Sequence, residues 1–200
     1  MFAQVLKQNK ETKHKIYSLH EPEVCCISKG KAHKKYEFGN KVSIAYTQQT
    51  GVIVGAVSFR NEYDGHTLAD TLKQVEKNTE QTPKSITVDR GYKGQTKIGE
   101  TIIHVPDTYM KGKMKSITNK IRDRFRRRAA IEPIIGHLKQ DNRLGRNFYK
   151  GLVGDSINVL LAATAFNLKR MLNKWKSCWL NFLFSFFNAF FPKKNYSWHS

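Results

Sequence analysis

Phe125-Arg-Arg-Arg128-Ala-Ala-Ile-Glu132-Pro-Ile-Ile-Gly-His-Leu-Lys139 sets one carboxylate among cations inside a very basic chain. Phe125, Arg128, Glu132 and Lys139 follow one another at three, four and seven residues. On an uninterrupted helix of 3.6 residues per turn that spacing stacks all four on one face. As an isolated i,i+4 Arg–Glu pair on a solvated helix, it adds only a few tenths of a kcal/mol. As a site, it holds an acid between groups that bind phosphate. Pro133 complicates the helix, because proline is tolerated in a first turn and disrupts an interior one. Either a helix starts near Glu132, and Phe125 and Arg128 leave the shared face, or the helix kinks there.

Immediately upstream, Lys111 to Arg128 carries nine Lys or Arg and a single acid, Asp123. Over all 200 residues, 35 Lys and Arg against 16 Asp and Glu leave a formal charge of +19, a field that attracts polyanions, nucleic acid first. Charge alone also suits a ribosomal or membrane-surface protein, and the run taken alone also reads as a solvated loop. With 40% apolar residues the chain buries a core of its own and is no disordered tail.

A second block, Ile86-Thr-Val-Asp89-Arg-Gly91-Tyr92-Lys-Gly94, reads as a β-branched strand ending in an aspartate and a glycine turn. Before it, Lys41–Thr47 alternates with period two and Gly51–Phe59 is a β-branched run, so the pair forms a hairpin turning at 48–51. Residues 66–78 place Leu68, Leu72 and Val75 at helical spacing, and Thr82-Pro83 ends that helix. Residues 16–27 read as an extended segment broken at Pro22. A short strand is expected around Ile102-Ile103, and residues 155–172 form a helix capped by Asp155 or Ser156. Its expected core side carries Ile157, Leu160, Leu161, Thr164, Ala165, Leu168 and Leu172.

The Phe125–Lys139 block resembles the C-terminal signature of insertion-sequence transposases, in which Tyr, Arg, Glu and Lys recur with gaps of two, three and six residues. Phe125 stands where Tyr is usual. The Asp89 block is similar to the segment carrying their second catalytic aspartate. Together with Tyr17–Val24, Tyr36–Gly39, Tyr63–Leu68 and Leu144-Gly-Arg146, the wording resembles the IS5 group of the IS4-like superfamily, over about Tyr17 to Leu172. The resemblance implies a DDE transposase: an α/β, RNase H-like mixed sheet with flanking helices that cuts and joins DNA with two Mg²⁺ ions. Three carboxylates are needed to hold and neutralise such a metal pair.

On that resemblance Asp89 and Glu132 are catalytic metal ligands. Arg128 and Lys139 bind phosphate or orient Glu132, and Lys120, Arg122, Arg124, Arg126 and Arg127 contact the DNA backbone. In the family the first aspartate lies on a strand well before the Tyr17 block, where this sequence offers only Glu11 in a lysine-rich context. Asp64 is the one stand-in, and it reads as a helix cap. The fold is therefore expected to lack its first strand, and the chain to be a truncated transposase, inactive alone. It divides into a basic remnant (1–15), a catalytic domain (16–172) and an aromatic-rich extension (173–200). Expected partners are DNA and either a missing N-terminal half or another copy. A noncatalytic DNA-binding fragment that inhibits or complements an intact transposase, or a basic RNA-binding protein, are the alternatives.

The remaining chemistry is sparse. Cys25, Cys26 and Cys178 form no metal or disulfide pattern, and the N-terminus is charged too soon for a signal peptide, so a cytoplasmic protein is expected. The aromatic stretch Trp179–Phe191, thirteen residues long, falls short of a membrane span and reads as an interfacial or packed terminal helix. His20 and His33 suggest no chemistry, His137 reads as a core histidine, and Tyr92 either packs or touches DNA.

Overall fold

A computed structural model describes residues 1–28, 35–60, 62–106 and 119–190. After a short helix α1 (Phe2–Leu6), strands β1 (Cys26–Ser28) and β2 (Tyr36–Phe38) pair antiparallel. The ring of Tyr17 packs 5.3 Å from that of Phe38, fixing the first block of the sequence to this ribbon. The expected hairpin is present as β3 (Lys41–Tyr46) and β4 (Ile53–Phe59), with a register irregularity at Ala45/Tyr46. Its turn requires Gly51, whose φ is +65° and whose missing side chain leaves room for the Arg170 guanidinium.

Helix α2 (Asp64–Thr79) follows, then β5 (Ser85–Thr87), a 3₁₀ turn at Arg90–Tyr92, β6 (Lys97–Ile98) and β7 (Thr101–His104). Asp64 is the first helical residue of α2; Tyr63 holds the cap position, with no side-chain cap bond. Strands β5 and β7 pair parallel and β6 joins β7 antiparallel, in the order β5-β7-β6. The fold is thus mixed α/β, and its strands fall into separate sheets rather than one.

Helix α2 lies against both larger sheets. Its Leu68 and Leu72 bury themselves with Ile103 of β7, beside Ile86, Val88 and Tyr92. Further along, Thr71 donates to the Ser43 hydroxyl on β3 (2.9 Å), and Val75 presses on β4 where Gly55 has no side chain. A second core packs Ile53 and Ala56 of β4 against the helices α4 (Ile131–Gln140) and α5 (Gly151–Phe190) through Ile134, Leu138, Val159, Ala162 and Ala163.

The outer edge of β4 is closed by side-chain amides. Asn167 of α5 accepts from the Ile53 amide (2.9 Å) and donates to its carbonyl (2.8 Å). Gln74 accepts from the Ala56 amide and Asn78 donates to the Val54 carbonyl, so an exposed ladder is capped without another strand. On the opposite edge, Val42–Tyr46 of β3 have no backbone partner other than β4 among the described residues. One side-chain bond, Gln48 to Thr87 at 3.5 Å, ties the chain just past β3 to β5.

Two expectations about α5 are corrected. The helix begins at Gly151, whose amide donates to Glu21 Oε2 (3.0 Å), while Asp155 takes bonds from Asn40 and Asn147 instead of capping. The side expected to face the core is outward: Ile157, Leu160, Leu161, Leu168 and Leu172 are each more than 40% exposed. The buried side carries Val159, Ala162 and Ala163, because small residues let a helix approach the β4 sheet closely. The helix runs through Leu172 without a break, and Gly151–Phe187 is long and apolar enough, by length and composition, to cross a membrane.

Candidate functional site

The basic stretch forms α3 (Asn119–Arg128), which ends two residues before α4 begins. Proline explains the break. Pro133 lies in the first turn of α4, where a ring in mid-helix would collide with the carbonyl of Ala129 four residues earlier. The chain tightens instead, with Ala129, Ala130 and Glu132 each donating to the carbonyl three residues back. Arg128 and Glu132 therefore do not share one continuous helix face, and the shared face of Phe125, Arg128, Glu132 and Lys139 is lost.

Tyr46, at the end of β3, holds this break in place. Its hydroxyl donates at 2.6 Å to the Arg127 carbonyl, which also accepts from the Ala130 amide, and lies 3.4 Å from the carbonyl of Arg128. Burial raises the Tyr46 hydroxyl above its ordinary pKa, partly offset by the nearby Arg128 charge. Nothing in the sequence marks this tyrosine, because its role depends on a contact more than eighty residues away.

Asp89 caps the 3₁₀ turn after β5, its carboxylate accepting from the Arg90 amide. The Arg128 guanidinium lies 3.9 Å from its other oxygen, so the strand-end aspartate and the C-terminal end of α3 meet. Arg128 is 27% exposed and Asp89 67%, a half-solvated pair whose contribution to stability is small. Glu132 lies exposed in the first turn of α4, where the helix dipole favours an anion. Lys139 is exposed at the other end of α4.

Further cations extend along α3. Arg124 reaches His104 Nε2 at 2.8 Å, and His104 pairs with Thr87 across β5 and β7. Burial first, and the Arg124 charge second, hold the His104 imidazole below its ordinary pKa. Neutral His104 accepts from Arg124 and tethers α3 to the end of the central strand β7, which pairs with β5 just before Asp89. His104 was not among the expected site residues, and one basic histidine on a short strand gives no spacing signal. Arg126 is exposed and 3.8 Å from Asp123, and Arg127 is exposed with its carbonyl on Tyr46. Lys120 and Arg122 are in α3, but their side chains lie outside the described residues, as do Asp64's side chain and residues 107–118 of the basic run.

Two other expectations are settled by contacts. Tyr92 packs in the α2 core, its hydroxyl 3.3 Å from Thr67. His137 is no core histidine: it is exposed and bonds Asp141 at 2.9 Å. That bond, with Lys169 beside it, holds the Asp141 carboxyl below its ordinary pKa.

The residues present do not by themselves fit a two-metal centre. Among the described residues no group of three or more His, Cys, Asp or Glu is placed to hold a metal ion. The Asp89 carboxylate is turned to an amide and an arginine. What the arrangement does offer is a basic helix beside a strand-end aspartate, with a second carboxylate just past the helix break.

A mixed α/β core in which an arginine-rich helix meets an aspartate just past a strand, with a glutamate beyond the helix break, suits a domain that meets a polyanion. A family model for the transposase DDE domain matches residues 7–168, and the chain belongs to that family. No curated protein and no solved structure gave a significant match. Membership makes DNA the substrate class and divalent metal the family's usual cofactor.

Proposed function

We propose that this chain is the C-terminal part of an insertion-sequence transposase of the IS5 group, in the IS4-like superfamily, that binds DNA in the cytoplasm and does not cleave it alone. The observation that carries this reading is the divided sheet. Strands β3 and β5 lie under the same helix α2, yet β3 has no backbone partner on its outer side among the described residues. A strand lying there would unite both sheets into one mixed RNase H-like sheet and bring a third acid near Asp89. That no group of three or more His, Cys, Asp or Glu is placed to hold a metal ion among the described residues agrees with it. Asp89 and Glu132 are then two of the three ligands for Mg²⁺, which supplies Lewis-acid activation of the phosphodiester once the set is complete. No step of that chemistry is assigned to this chain by itself.

In this reading, the chain's own residues bind and position DNA. Arg124, Arg126, Arg127, Arg128 and Lys139, with Lys120 and Arg122, engage phosphates, which fixes DNA without reading its sequence. Arg128 also holds Asp89 against the end of α3, and Tyr46 sets where Glu132 starts its helix. A noncatalytic chain that captures DNA or joins an intact transposase follows from the same features.

Titrating duplex DNA with the chain at several salt concentrations tests the binding half. Affinity should fall steeply with salt, and replacing Arg124, Arg126 and Arg127 together with alanine should lower the slope of log K against log salt by about 2–3 units. A slope unchanged by that triple variant would remove α3 from the interface. Incubating supercoiled plasmid with Mg²⁺ or Mn²⁺ tests the catalytic half, and no nicking is expected.

A further inference from the structure

Arg170 donates to the Thr50 carbonyl and ties α5 to the body, after which the helix continues to Phe190 with every side chain from Met171 to Phe187 exposed. From Ser177 to Phe190 it carries no charged residue. At 3.6 residues per turn, Trp179, Phe182, Leu183 and Phe186 cluster on one side, and Leu180 and Phe184 widen the apolar arc to roughly 200°. Ser177, Asn181 and Ser185 share the remaining side. The rings of Trp179, Phe182 and Phe186 follow one another at 6.1 and 6.3 Å between centroids. Leu161, Leu168, Leu172 and Trp175, all exposed, continue the arc back along the helix, whereas Val159 and Ala163, which pack on the body, fall in line with its polar side.

We propose that the outward side of α5 is a lipid-binding surface, on which the helix lies in the plane of an anionic phospholipid bilayer with Trp179, Phe182 and Phe186 among the upper acyl chains. Width selects a lipid surface over a partner helix. A helix paired with one other helix covers a narrow stripe, and Leu180 (56% exposed) and Phe184 (70% exposed) fall outside it. A bilayer covers the whole arc at once. The body stands on the other side of the helix and does not collide with the membrane plane.

Charge selects an anionic surface. Lys169, Arg170, Lys174 and Lys176 precede the uncharged run, and no Asp or Glu follows Asp155 in the chain. Lys174 falls on the polar side, and Lys176, at the start of the arc, reaches headgroups along its apolar stem. Trp175 and Trp179 flank that boundary, where the indole ring suits the membrane–water interface. The helix lies on the bilayer rather than across it. Its fourteen uncharged residues rise about 21 Å, short of the roughly 30 Å of a hydrocarbon core. Upstream of them the helix is fixed to β4 by the Asn167 side chain on Ile53.

Flotation of the full chain with vesicles of phosphatidylcholine, with and without phosphatidylglycerol, tests the proposal. The chain should float with the anionic vesicles and far less with the neutral ones. Trp179→Ser/Phe182→Ser/Phe186→Ser should weaken binding to anionic vesicles at least about 100-fold, and Lys174→Gln/Lys176→Gln by roughly 10- to 30-fold. All five side chains are exposed, so the urea midpoint of either variant should stay close to that of the parent chain. With Trp175→Phe and Trp198→Phe leaving Trp179 as the sole indole, its emission should shift to the blue on adding anionic vesicles, and bromines high on the acyl chains should quench it most. A chain that does not float, or a triple variant that floats as well as the parent, would overturn the proposal. So would equal binding to neutral vesicles, or quenching strongest at the bilayer centre. Trp179 emission already blue-shifted without lipid and unmoved by it would overturn it too, and would mark a protein partner on this side of the helix.

Discussion

The two edges of the β3–β4 hairpin are treated oppositely by the rest of the molecule. The β4 edge is finished: amides of Asn167, Gln74 and Asn78 take up its backbone groups, and Leu138, fully buried, packs beneath. Among the described residues the β3 edge has side-chain ties alone, Ser43 to Thr71, and Tyr46 to the break after α3, with Gln48 to Thr87 just past its end. Proteins suppress open edges, because unpaired ladder groups invite other chains. One closed edge and one open edge on a single hairpin leave the open side facing β5, where Gln48 meets Thr87.

Substitutions on the two sides should differ in size. On the finished side, Leu138→Ala leaves a cavity between α4 and β4 and should cost about 2–5 kcal/mol in a urea titration. A loss under about 1 kcal/mol would mean that the core is not closed there. Asn167→Ala strands the Ile53 amide and carbonyl at a half-buried edge and should cost about 2 kcal/mol, with faster exchange of the Ile53 amide. On the unfinished side, Tyr46→Phe removes only a hydroxyl, so about 0.5–1.5 kcal/mol is expected, and DNA affinity should fall if the tyrosine sets the geometry of Arg128. Equal losses for Asn167→Ala and Tyr46→Phe would erase the contrast between the edges.

The smallest effect should appear with pH. His104 is held below its ordinary pKa in the folded chain, so as pH falls the unfolded chain takes up this proton first. Stability from this group is full above the ordinary histidine range and declines as pH drops through it toward the lowered folded value. His104→Gln keeps a hydrogen-bond acceptor for Arg124 and should flatten that part of the stability profile. An unchanged profile would show that burial and the Arg124 charge together do not hold the His104 imidazole below its ordinary range.

Much of this fold was legible where one periodicity dominated. Lys41–Thr47 and Gly51–Phe59 show period two and β-branching, and Leu68, Leu72 and Val75 mark the buried side of α2, all as found. The strand before Asp89 and its turn were legible for the same reason. Helix α5 misled because large apolar residues outnumber small ones on its outer face, while Ala162 and Ala163 make the contact that needs closeness. The four-residue face around Glu132 failed at Pro133, one of the two outcomes that residue allowed. Tyr46 and His104 were illegible, since each acts through a partner distant in the chain.

Amide hydrogen exchange along the hairpin of the chain alone tests the open edge most directly. The account predicts protected Ile53 and Ala56 amides on β4, while the amides of Val42–Tyr46 that point away from β4 exchange nearly as fast as loop amides. Uniform protection across both strands would contradict it, showing that the β3 edge is already paired and that no strand is wanting beside Asp89.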